Sequence, residues 1–155
     1  MTAKKLEGIL TMTLLKEKST YEMWNEIKSA DDYESFAANN TETFNSADIS
    51  ECLNAFLKEK GIPLKEAVKR SGLDRSYAYH IFSGKKIPSR DKLIAIAFGM
   101  KLDLDETQML LKRTRNRPLY PKDERDSVII YALLNGQRLD ITNERLYERA
   151  FDLIQ

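Results

Sequence analysis

The chain has 155 residues, 42% hydrophobic and 32% charged, the size and balance of one folded core with an appended subdomain. With 25 Lys+Arg against 24 Asp+Glu the net charge is +1, which excludes a protein held to nucleic acid by overall charge but not one with a local basic face. A single cysteine (Cys52) and a single histidine (His80) exclude an internal disulfide framework and a multi-His metal or catalytic cluster.

No cofactor or metal is expected. Cys52 alone fits a reducing, cytoplasmic setting. No run approaches the ~18 apolar residues of a membrane span. Glu7 and Thr11 interrupt the apolar stretch after Lys4 and Lys5, which argues against a signal peptide.

Strand signals are scarce and helical periodicity recurs, so the fold class is all-α. Leu6, Leu10 and Leu14 fall four apart, and Tyr21, Trp24 and Ile27 three apart, which gives one or two short helices in 1–45. The two aromatics are expected to pack that N-terminal helix rather than form a ligand cage. Ser46 reads as an N-cap, with Asp48 and Glu51 in the first turn and Ile49, Leu53, Phe56 and Leu57 as the apolar stripe. Gly61 stops this helix, and Pro63 suits the first turn of the next. Gly72 ends the second helix, and Asp74 caps a third that runs to Phe82. Ser89 caps a fourth, carrying Leu93, Ile94, Ile96, Ala97 and Phe98. Asp103 with Glu106 makes a capping-box start for a fifth. Beyond Pro118, the acidic lead-in to Val128–Leu134 and the stop at Asn135-Gly136 predict a helix over 124–134. A last helix is expected over about 140–154.

Charge is uneven along the chain. Residues 1–46 carry five basic and eight acidic residues, a net of −3. Residues 47–118 carry fifteen and nine, a net of +6, and residues 119–155 five and seven, a net of −2. A basic middle between acidic flanks is what an anion-binding face requires. Within it, Gly72-Leu73-Asp74 joins two short helices. On the third helix Tyr77, Ala78 and Ile81 share one side, and Arg75, Ser76, Tyr79, His80 and Ser83 share the other. The first set suits a core. The second offers donors and acceptors near a helix N-terminus, the inventory of a helix laid in a major groove. Lys85 and Lys86 follow, placed to neutralise phosphates. Ser89 and Arg90 open the next helix, whose free N–H groups also suit a phosphate. Lys65 and Lys69 add to the same face.

On these residues, 46–113 resemble the lambda repressor/Cro-type helix-turn-helix domain (the XRE family). The match includes the turn glycine, the cap after it, the run Ser83 to Leu93 and the five-helix spacing. The resemblance implies a lambda-repressor-like fold with Asp74–Ser83 as recognition helix. It implies double-stranded operator DNA as partner, bound by a homodimer on a near-palindromic site. Arg75, Ser76, Tyr79 and His80 would read bases, and Lys85 and Lys86 would hold the backbone. Two positions depart from the family pattern. Leu64 stands where a phosphate-binding polar residue is usual, and Ala67-Val68 replaces a Leu-Ala pair, which conserves volume but can shift the helix crossing.

The expected organisation is an N-terminal helical extension (1–45), the DNA-binding domain (46–118) and a C-terminal extension (119–155) resembling those of some small bacterial regulators. The run Val128–Leu134 is apolar nearly all round and must be covered on more than one side, by the domain and by either a second copy of the chain or the N-terminal 45 residues. The stretch Lys112–Arg117 is a second DNA arm or a helix end stabilised by cations. The leading function is a sequence-specific transcriptional regulator, a repressor. The alternative is an antitoxin- or adaptor-like module whose terminal helices bind a partner protein. No nucleophile set, phosphate loop or metal-ligand spacing marks an enzyme.

Overall fold

The computed structural model describes residues 18–44 and 48–155, and every regular element among them is helical. Helices α1 (Thr20–Ser29), α2 (Tyr33–Asn39) and the single turn α3 (Thr41–Phe44) come first. They are followed by α4 (Ile49–Lys60), α5 (Leu64–Ser71), α6 (Arg75–Phe82), α7 (Arg90–Gly99) and α8 (Leu104–Arg113). Helices α9 (Glu124–Leu134) and α10 (Leu139–Glu148) complete the chain. The Leu6/Leu10/Leu14 stripe and Ser46 lie outside the described residues, and Asp48, expected in the first turn of α4, is instead its N-cap.

Side-chain caps set most of the starts. Asp48, Asp74, Ser89, Asp103 and Asp123 each accept a backbone N–H two or three residues on, and Asp103 with Glu106 closes a full capping box. Pro63 stands at the N-cap of α5, one residue before the first helical position.

Helix α7 is the axis of the core. All its residues from Leu93 to Gly99 are buried, as expected of a helix apolar all round. Around it pack Cys52, Leu53, Phe56 and Leu57 of α4, Ala67 and Val68 of α5, Ala78, Ile81 and Phe82 of α6, and Leu110 and Leu111 of α8. The Cys52 thiol is fully enclosed, and burial pushes its pKa up to about 12, so it stays protonated and unreactive at neutral pH.

Gly99 permits the closest helix approach. A Cβ at that position would overlap the carbonyl oxygen of Ala67 and come within 3.0 Å of the Ser71 nitrogen. Helices α5 and α7 therefore cross backbone against backbone, and the small Ala67 belongs to the same contact.

The core does not end at Pro118. Leu119, Val128, Ile129, Ala132, Leu133, Leu146 and Ile154 join the same apolar cluster as α4–α8. Two bidentate ion pairs add to this docking. Arg90 of α7 donates to Asp126 at 3.1 and 2.8 Å, and to the carbonyls of Arg117 and Pro118. Asp126 is 1% exposed and also accepts the Tyr120 N–H. Arg125 of α9 pairs with Asp91 of α7 at 3.1 and 2.8 Å. Gln108 exchanges two hydrogen bonds with the Leu119 backbone, which fixes the connector on α8.

Two expectations need correction. The last helix ends at Glu148, not near residue 154. Ala150 adopts φ 61, and the chain turns back so that the Ile154 backbone exchanges hydrogen bonds with the Asn143 side chain. The apolar spacing of Phe151 and Ile154 reflects a packed irregular tail, which periodicity alone reads as helix. In α1, Tyr21, Trp24 and Ile27 are 75%, 59% and 47% exposed, not packed. The N-terminal helices instead gather around Phe36, whose ring meets those of Tyr33 and Phe44. Asn40, buried beside it, binds Lys18, Glu26 and the Phe36 carbonyl.

Gly99→Ala is expected to destabilise the protein by about 3 kcal/mol, because overpacking against backbone outweighs the ~1 kcal/mol helix-propensity gain of alanine. Urea unfolding with an unchanged midpoint would remove the backbone-contact reading. Asp126→Ala should cost about 2–3 kcal/mol, somewhat below the ~3–5 kcal/mol of a fully enclosed pair, since the Arg90 side chain keeps 17% exposure. A loss under about 1 kcal/mol would show that apolar packing alone holds the C-terminal helices.

Candidate nucleic-acid interface

Gly72 adopts φ 68, the left-handed conformation that turns α5 into α6 within three residues. Leu73 packs partly into the core, and the Asp74 carboxylate accepts the Tyr77 N–H at 2.9 Å. Helix α6 is locked from below by Ala78, Ile81 and Phe82. At its C-terminal end the Asn54 side chain donates to the Phe82 carbonyl at 2.9 Å. One face is thus fixed on the core and the opposite face is open to solvent.

Arg75, Ser76, His80 and Ser83 are exposed on that open face. Tyr77 and Tyr79 are both half-buried at its edges and touch the core. The Arg75 guanidinium lies over the Tyr79 ring at 5.6 Å, and Lys92 of α7 lies over the Tyr77 ring at 5.3 Å. These contacts orient two cations without neutralising them. Arg75 has no carboxylate partner among the described residues.

Beyond α6 the backbone N–H groups of Lys85 and Lys86 both donate to the His80 carbonyl, at 2.9 and 3.2 Å. The loop therefore curls over the helix end, with both lysine side chains exposed. Ile87 beside them is 85% exposed, an apolar residue that the sequence reading did not single out. Lys65 and Lys69 of α5 are also exposed. The arrangement is a convex helix flanked by exposed cationic heads, which suits a polyanion's groove and its rims.

The remaining expected residues divide. The Ser89 hydroxyl accepts the Lys92 N–H as an N-cap and stays exposed. Arg90 behaves differently, because its guanidinium faces Asp126 and two carbonyls inside the fold and is not presented beside Lys85 and Lys86. Its cationic role is internal. The signal for this was Asp126, a carboxylate two residues before the apolar run and part of its acidic lead-in. Leu64 packs partly into the core and carries no polar group toward the face. In the basic stretch after α8, Arg115 donates to the Thr43 carbonyl, and Arg117 lies 3.7 Å from Asp126, so both engage neighbouring segments of the chain.

Residues 53–106 match the family model of the helix-turn-helix. The matched segment runs from within α4 to the first turn of α8 and contains the whole open face of α6. No curated protein and no solved structure matches the chain.

Proposed function

We propose that this chain, with a Cro/C1-type helix-turn-helix domain at its centre, is a transcriptional repressor that binds a near-palindromic DNA operator as a homodimer. The observation that carries the reading is the open face of α6. Arg75, Ser76, His80 and Ser83 are all exposed there, with Arg75 held only over the Tyr79 ring and the Ser83 hydroxyl donating to the His80 carbonyl at 3.2 Å, while the same helix is anchored by Ala78 and Ile81. In this reading Arg75 pairs with a base edge in the major groove. Ser76, Tyr79, His80 and Ser83 line the groove, and Lys85, Lys86 and the Ser89 turn contact phosphates. Repression follows from occupying a promoter and needs no chemistry.

The second copy has a surface to use. Val128, Ile129, Ala132 and Leu133 of α9 are buried within the chain, but Tyr131 and Leu134, one turn apart, are 52% and 66% exposed. The apolar run is thus covered on one side only, and a second α9 would cover the other. Removing residues 120–155 does not test this cleanly, because it opens the core along Val128, Ile129 and Leu146. A protein-partner role has one observation in its favour, the exposed Tyr21, Trp24 and Ile27 of α1.

With a selected operator, log affinity should fall with log salt with a slope near −0.9 per phosphate contacted. Arg75→Ala should lose about 1–3 kcal/mol on the preferred site and relax one base position, whereas Lys86→Ala should weaken all sequences alike and flatten the slope by about one phosphate. Gel-shift titration reads both; parent-like binding by both variants would sink the groove assignment and leave the partner-binding role in front. Leu134→Glu should convert a dimer to a monomer in sedimentation without changing the helical spectrum. A dimer that survives the charge places the subunit contact elsewhere.

A further inference from the structure

A cavity of about 790 Å³ lies between the helix-turn-helix unit and the C-terminal helices, within the ~300–1,000 Å³ typical of small-molecule sites. Phe98, Leu102, Leu133 and Leu139 make its walls apolar, and Arg70 and Lys101 bring cations to it. The other polar side chains of the lining are largely engaged. Arg138 pairs with Asp140 at 2.8 Å, Gln137 accepts from Arg145, and Asn143 holds the Ile154 backbone. Arg70 pairs with Glu66 through Nη2 only, and its Nη1 is enclosed with no hydrogen-bond partner. An enclosed guanidinium N–H without an acceptor is rare in a folded protein. Lys101 has no ion-pair partner among the described residues.

We infer that this cavity binds an anionic amphiphile, a small organic acid whose aliphatic or aromatic body lies on the four apolar side chains and whose carboxylate meets the accessible part of the Arg70 side chain and Lys101. Both halves of the site are needed for this choice. A neutral apolar molecule leaves Lys101 without a counter-charge, and a bare inorganic anion leaves the apolar walls wet. The site goes beyond the DNA-binding role and does not depend on it. Its place is nonetheless consequential, because Gly72 lines it too. A ligand there touches the bend between α5 and α6 and the C-terminal helices at once.

The test titrates the full chain with octanoate and 2-naphthoate, followed by calorimetry and ligand-observed NMR. Octanol serves as the uncharged probe and inorganic phosphate as the anion without a body. At least one acid should bind saturably with Kd of about 1 mM or below, and octanol about tenfold more weakly. Phosphate should not compete. Arg70→Gln and Lys101→Gln should each lower the acid's affinity by about tenfold while keeping the parent's helical spectrum. Lys101 is exposed, so its variant decides the matter if Arg70→Gln does not fold. No saturation by either acid up to ~10 mM overturns the site. So does parent-like affinity in the variants, or equal binding by octanol or phosphate.

Discussion

The contact on which the molecule turns is the crossing of α5 and α7 at Gly99. There a helix with no side chain at one position lies directly on the backbone of Ala67 and Ser71. Ser71 is the last residue of α5, and Gly72 follows at positive φ. Closeness at Gly99 therefore fixes where α5 ends and how the chain enters α6. The angle of the exposed helix is set from inside, by a missing methyl group, rather than by anything on its own outer face. Such a contact has little tolerance, because backbone atoms cannot rotate away as a side-chain end can.

From that crossing the rest of the architecture follows by addition. Helix α7 is enclosed on every side, so it needs cover beyond the helix-turn-helix unit, and α9 and α10 supply part of it. Apolar packing supplies cohesion there but not direction. Arg90 with Asp126, and Arg125 with Asp91, supply direction as two planar forks on facing helices. The C-terminal helices are thus part of the same body as the helix that faces solvent, and the cavity beside Gly72 lies in the joint between them.

Most helix starts were legible in the sequence, because a start is a local event. A serine or aspartate that bonds a backbone N–H two or three residues on leaves its mark within four letters. The caps at Asp74, Ser89 and Asp103 were found where that mark predicts. The bend at Gly72 and the buried trio Ala78, Ile81 and Phe82 are local for the same reason. Helix ends read from apolar spacing fared worse. Phe151 and Ile154 continue the spacing of α10 without continuing the helix, since burial rewards apolar side chains in an irregular tail just as well.

By itself, then, the sequence determined the helical class, the tight bend, the two-faced helix after it and the clustering of cations around its end, all of which rest on neighbours within about ten residues. Only the tertiary structure decided which charges face outward. Arg75 and Arg90 are the same residue type near helix starts, yet the first is open to solvent over Tyr79 and the second is bound to Asp126, thirty-six positions along the chain. Tyr21 and Trp24 read like packing residues, yet lie exposed. A side chain's partner is chosen by folding in three dimensions, and a pattern of spacing shows which residues share a face but not what the fold brings against it.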